Sequence, residues 1–262
     1  KNRDTDLPLF AWFHYSDPHA PYKNRRRHRV SKKSDYKGDS GARIKVRYDS
    51  EIRFADAQIK LVLDALPKQD TYIVFVADHG ESIHEHGYLG HGRRIFQTGL
   101  HVPLVIQGPG IDAGRTDAPA RGIDIAPTLL GLAGISIPNT MLGRDLLNDS
   151  PPLDRVRVME TYGGAVPNLK VSRALEAGKP PQRQTVIHNG WKLIIGGTRE
   201  HLYQISKDPL ETNELLDQHT ARADELRLLI TTWDAETIRN MENDAQLSED
   251  DIEALKSLGY VE

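Results

Sequence analysis

The sequence predicts an α/β protein with a mostly parallel sheet flanked by helices, followed by a small antiparallel sheet with its own helix. Three observations carry this. Up to about residue 150, short apolar runs alternate with stretches whose apolar residues recur every three or four positions, the signature of strands alternating with helices. After about Asp154 the texture changes to closely spaced β-like runs cut by turn residues. At 262 residues and 38% hydrophobic content, the chain can bury a sizeable core. It divides on this reading into 1–150, the α/β part, and 151–262, a small α+β subdomain.

Taken in order, "LPLFAWFHY" (Leu7–Tyr15) reads as a buried strand, ended by the prolines of "SDPHAPY". Tyr48, Ile52, Ala55, Ile59, Val62, Leu63 and Leu66 mark an amphipathic helix stopped by Pro67. "TYIVFVAD" (Thr71–Asp78) is apolar and β-branched, as for a strand covered on both faces. "VPLVIQGPG" (Val102–Gly110) gives the next strand, and "IDIAPTLLGLAG" (Ile123–Gly134) a helix with Gly134 beyond its end. Asp124 reads as the residue that starts this helix. "RVRVMETY", "QTVIHNGWKLIIG" and "HLYQIS" form the small sheet, which takes in Trp191 and Lys192, with Asn189-Gly190 as a hairpin turn. Helical stretches at Ala221–Met241 and "SEDDIEALKSLG", the latter opened by Ser248 and Asp251, close the chain.

Composition narrows the chemistry. The absence of cysteine removes disulfides, thiolate ligands and a cysteine nucleophile. No apolar run is long enough to span a bilayer, and the first residues lack a signal-peptide pattern and an initiator Met, as in a sequence cut from a longer chain. Net charge is only −3, but Lys23, Arg25, Arg26, Arg27, Arg29, Lys32, Lys33, Lys37, Arg43, Lys45 and Arg47 face only Asp35 and Asp39 nearby. Such a run is either a solvated loop or a rim that attracts an anionic substrate. Apart from Tyr36 no aromatic is interleaved to stack on bases, so nucleic acid is not the expected partner.

In open parallel sheets the functional crevice lies beyond the carboxyl ends of the strands. Two predicted strands deliver polar residues there: Asp17 and His19 from the first, Asp78 and His79 from the second. With Gly80 free to take a positive φ, Asp78 and His79 can face one cation, and a carboxylate plus an imidazole tolerates magnesium, manganese, calcium or zinc. His84, His86 and His101 fit ordinary loop or core positions, whereas His91, between two glycines, can approach a ligand and donate a proton near neutral pH.

The segments "FAWFHYSDPHAPY", "YDSEIRFADAQIKLVLDAL", "VFVADHGESIHEHGYLGHGRRIFQTGLHVPLVI", "GIDIAPTLLGLAGISIPNTMLGRDLL" and "LYQISKDPLETNEL", in this order, resemble the carboxyl-terminal part of a bacterial-type sulfatase, within the alkaline-phosphatase-like superfamily. The tail "LSEDDIEALKSLGY" is similar to that of many bacterial members. The resemblance implies one divalent metal ion held by Asp78 and His79, calcium first, with magnesium, manganese or zinc as alternatives. It implies that His19 and His91 contact the sulfate ester, that the substrate is sulfated, and that a polyanionic carbohydrate suits the basic run. It also implies an exported, periplasmic or membrane-anchored parent. The family's formylglycine nucleophile arises in a C/S-x-P-S/T-R motif, which this sequence lacks, as it lacks the early Asp-Asp metal pair. The expectation is therefore a sulfuric ester hydrolase whose amino-terminal half lies upstream, with the piece alone inactive and exposing uncovered sheet edges. Two other readings remain: a phosphatase, phosphodiesterase or phosphoethanolamine-type transferase of the same superfamily, and an inactive glycan-binding module.

Overall fold

A computed structural model describes residues 8–32, 39–67, 69–162 and 182–242. The chain forms two compact units, one of Lys1–Gly90 with Val102–Ala113, the other of His91–His101 with Gly114–Glu262.

In the first unit, helix α1 (Ser40–Ala65) starts where the Asp39 side chain accepts the Ala42 amide at 3.0 Å. It stops at Leu66, whose extended backbone is what a following proline demands. Strand β1 (Ile73–Val76) pairs with β4 (Leu104–Gln107), from Ile73 opposite Gln107 to Val76 opposite Leu104. Between them in sequence, β2 (Ser82–Ile83) and β3 (Leu89–Gly90) make a two-residue-wide ribbon. Gly108 is required as such, since a Cβ there would lie 2.2 Å from the Tyr72 ring.

Three expectations are corrected here. Residues 8–15 form no strand, and Leu9, Phe10, Trp12 and Phe13 are exposed. Apolar sequence makes a strand only where a neighbour satisfies its backbone, and among the described residues no strand pairs with this run. The β1–β4 pair is antiparallel, in place of the parallel pairing expected. A parallel return needs a crossover of a dozen or more residues, usually helical, that carries the chain back to the strand's starting end. Finally β1 is not covered on both faces, because Phe75 and Val76 remain exposed.

The second unit is built on a four-stranded antiparallel meander: β5 (Arg157–Thr161), β6 (Arg183–His188), β7 (Trp191–Gly196) and β8 (His201–Tyr203). Asn189 and Gly190 join β6 to β7 with φ of 50° and 74°, the left-handed pair that a tight hairpin turn requires. One face of the sheet buries Val186, Leu193 and Leu202 against Ala223, Leu226 and Ile230 of helix α4 (Thr220–Glu242). These helical positions lie three and four apart, so they share one stripe. The other face buries Ile194 and Tyr203 against Ile95, with Phe96 and Leu100 packed alongside; Phe96 precedes the single-turn helix α2 (Gln97–Leu100).

Helix α3 (Ile125–Leu132) follows a 3-10 turn, Gly122–Asp124. Gly134 beyond it has φ of 69° and the Ile135 amide returns to the Leu130 carbonyl at 2.9 Å, the expected glycine stop. Asp124 is fully buried and stands at the start of the helix, but its carboxylate does not cap it: it accepts the Arg121 amide at 2.7 Å, before the 3-10 turn, and the Arg144 amide at 3.0 Å. Arg155 closes the cluster with two parallel hydrogen bonds to it, 2.7 and 2.8 Å long. The stretch with Ser248 and Asp251 lies outside the described residues, as do Lys33 and Lys37 of the basic run.

Candidate metal and anion site

Asp78 and His79 leave β1 at its carboxyl end. The Asp78 carboxylate accepts the His79 amide at 3.0 Å, closing the turn with the residue's own side chain. The left-handed residues of this loop are His84, His86 and Gly87, so the turn is not made through the expected positive φ at Gly80. His79 Nδ1 lies 2.8 Å from the Gly80 carbonyl. A carbonyl only accepts, so Nδ1 carries the proton and Nε2 carries the lone pair of the neutral ring. That Nε2 stands 3.7 Å from Asp78 Oδ2, and the carboxylate is 77% exposed.

These two groups suit a cation. One ion with bonds of about 2.0–2.6 Å can span two donor atoms at that spacing, and a carbonyl behind the ligating imidazole is the support such ligands usually have. Two donors are fewer than any of the candidate metals needs, and among the described residues no group of three or more His, Cys, Asp or Glu side chains is placed to hold an ion. Asp78 and His79 thus fit as one side of a coordination shell.

His19 has the same local arrangement, with Nδ1 2.7 Å from the Ala20 carbonyl. It lines a cavity of about 210 Å³ together with Ser16, Asp17, Ala20, Pro21, Lys23 and Glu51. The buried Glu51 organises this wall from α1, accepting the Lys23 amide at 2.7 Å and Arg25 Nε at 2.9 Å. Arg25 also bonds Asp17 and stacks over Phe54, 3.8 Å from the ring centroid. Burial pushes the Asp17 carboxyl up, but its hydrogen bond from Arg25 and the charges of Arg25 and Lys23 outweigh this and hold it low.

Neither Glu51 nor these pairings was legible beforehand. Arg25, expected on an anion-attracting rim, turns inward as structure, and Arg29 is engaged with Asn24 at 2.8 Å. The loop of His19 and the loop of Asp78 are tied by Tyr22, whose hydroxyl donates to Glu81 at 2.9 Å and whose ring meets Tyr48 edge-on. Glu85 closes its own loop on the Ile83 amide, and the His84 ring packs on Gly41 of α1.

His91 falls in the second unit, and Asp78, His79 and His19 fall in the first. It is half-buried, and the backbone beside it is held by Thr161, which donates to the Gly92 carbonyl, and by Arg183, 2.7 Å from the Arg93 carbonyl.

The chain has the alkaline-phosphatase-like α/β fold of the solved structures it resembles. Residues 1–135 match the model of the Sulfatase family, and the chain belongs to that family. It is 29% identical over 223 residues to a choline-sulfatase of Rhizobium meliloti, a match covering 81% of this chain and 40% of that protein. Among solved structures it resembles one from the Bacteroides thetaiotaomicron locus for metabolism of multiple glycosaminoglycans, with a TM-score of 0.67, 20% identity, and coverage of 86% and 53%. A phosphonate monoester hydrolase of Agrobacterium radiobacter shares the fold as well, with a TM-score of 0.59, 23% identity, and coverage of 79% and 44%. The chain spans less than half the length of the choline-sulfatase. Among the described residues no helix is long and apolar enough to cross a membrane.

Proposed function

We propose that this chain supplies part of the metal-binding and substrate-binding apparatus of a sulfuric ester hydrolase. The observation that carries the reading is the Asp78–His79 pair at the end of β1, with Oδ2 and Nε2 at chelating distance, in a member of the Sulfatase family. Asp78 and His79 hold one divalent cation, calcium first, with magnesium, manganese or zinc as alternatives. When bound, that cation supplies Lewis-acid polarisation and charge neutralisation at the ester. The Gly80 carbonyl holds the His79 ring in the tautomer that ligates, and Tyr22 braces the loop through Glu81. His19, with its ring fixed on Ala20, presents a donor to a sulfate oxygen once protonated, and His91 donates to the ester or to the departing oxygen. The nucleophile, a formylglycine, is supplied by residues outside this sequence, so the isolated chain is inactive. The substrate is a sulfated molecule, with a sulfated polysaccharide the class that suits Arg26, Arg27 and Lys32, which are exposed.

The test is kinetic. The full-length protein should hydrolyse an aryl sulfate faster than an aryl phosphate or phosphonate ester, and lose at least about 100-fold in kcat/KM on Asp78→Asn or metal chelation. Preference for the phosphorus ester would turn the reading to phosphoryl chemistry, and binding of sulfated glycans without turnover would turn it to an inactive module.

A further inference from the structure

The segment from His91 to His101 is seated on the second face of the small sheet, by contacts that come from far along the chain. Thr161 at the end of β5 takes the Gly92 carbonyl, 69 residues away in sequence. Arg183 at the start of β6 takes the Arg93 carbonyl across 90 residues. Glu211, beyond β8, accepts the Gln97 amide at 2.6 Å across 114 residues. All three capture backbone, so they fix the path of the segment whatever side chains it carries. Between the polar anchors, Ile95 is buried with Ile194 and Tyr203.

Glu211 is itself held. Its other oxygen accepts Lys192 Nζ at 2.5 Å, and both side chains are almost wholly buried. Lys192 lies in β7 opposite Tyr203, and its ammonium stands 5.9 Å from the centre of the Phe96 ring. A buried ion pair is a poor source of net stability compared with apolar residues of the same volume, yet it is directional, which suits the placing of one backbone amide. Gly197, with φ of 80°, leaves room for the Arg183 guanidinium, which a Cβ there would meet at 2.8 Å.

We propose that Thr161, Arg183 and the Lys192–Glu211 pair are positioning residues for His91, and that the small antiparallel sheet is the platform on which this histidine is presented to the sulfate ester. The proposal rests on the reading of His91 as a substrate contact.

The experiment uses the full-length protein with an aryl sulfate, and hydrogen exchange of the amides of residues 92–97. Thr161→Val and Glu211→Gln are each made in the parent and in a His91→Ala background, with Thr161→Ser as the conservative rescue. The expected result is a loss of about tenfold in kcat/KM for each clamp variant, chiefly in KM. Exchange should be faster in 92–97, Thr161→Ser should recover activity, and no further loss should appear once His91 is absent. Equal losses with and without His91, or unchanged kinetics despite faster exchange, overturn the proposal. If His91→Ala alone keeps full activity, the substrate-contact reading fails and takes the positioning role with it. Faster exchange in the clamp variants would then show that the clamp itself stands. Should Glu211→Gln not fold, Thr161→Val decides alone.

Discussion

Around Asp78 the bracing groups are polar and partly exposed: Tyr22 on Glu81, Arg25 on Asp17 and Glu51, and the Asp78 carboxylate out in solvent. Around His91 they are the inside of a sheet: Ile194 and Tyr203 against Ile95, with Lys192 and Glu211 sealed from water. The first arrangement leaves carboxylate oxygens open, as the proposed cation site requires. The second suits a side chain that must be held in one place. Water screens the exposed charges of the first region, so losing a contact there other than those of the buried Glu51 should be mild for stability, whereas in the second an orphaned charge has nothing to replace its partner.

Glu211→Ala tests this most severely. It strands the Lys192 ammonium in the sheet and should cost about 3–5 kcal/mol in denaturant unfolding. Replacing both Lys192 and Glu211 by apolar residues should recover most of that, and failure to recover would mean that the pair is a net source of stability. Next comes Asp124→Ala, which removes a buried acceptor from Arg155 and two backbone amides and should cost about 3 kcal/mol.

The pH dependence of this carboxylate has a definite sign. Burial pushes it up, but Arg155 and the amides of Arg144 and Arg121 outweigh that and lower it below the ordinary value. A depressed carboxyl contributes stability that is complete above its unfolded pKa, about 4, and is lost as pH falls through the folded value. Thermal melts of the native protein should therefore fall on acidification below about pH 4 more steeply than those of Asp124→Asn. Parallel curves would remove Asp124 from the acid response.

In the first unit Tyr22→Phe should cost only about 1 kcal/mol, with a larger effect on metal affinity if the loop is braced as described. At the bottom of the scale, Lys60→Ala breaks an exposed pair with Asp64 one helical turn away and should cost about 0.3–0.5 kcal/mol. A cost above that of Tyr22→Phe would break the contrast between screened and buried contacts.

The periodic elements could be read from sequence because their pattern is local. Helix α1 with its stop before Pro67, the turn at Asn189-Gly190 and the strands β6 and β7 all follow from residues within a few positions of each other. Residues 8–15 misled for the complementary reason, since apolarity states what a segment would bury and not what covers it. In the candidate site, Asp78 and His79 were legible as a strand-end pair, and their chelating spacing is local as well. Glu51 gave no signal, being one acid on a helix whose partners, Lys23 and Arg25, lie 28 and 26 residues back. The joining of His91 to the small sheet was equally hidden, since Thr161, Arg183 and Glu211 are ordinary residues until the chain folds back.

The turn at Asn189 and Gly190 sets parity for everything beyond it. With two residues in the turn, Lys192 falls opposite Ile187 and Leu193 opposite Val186, so the lysine shares a face with Ile194 and the leucine goes to α4. A one-residue slip of β7 against β6 would exchange them, driving an ammonium into the helix interface and a leucine toward Glu211. Length at this position therefore matters as well as identity, which is already held by the positive φ of Gly190 and by Ser206, 2.7 Å from where a Cβ would lie. Many side chains along the ribbon can be exchanged at modest cost, but a one-residue slip starting from this turn disables both faces of the sheet at once.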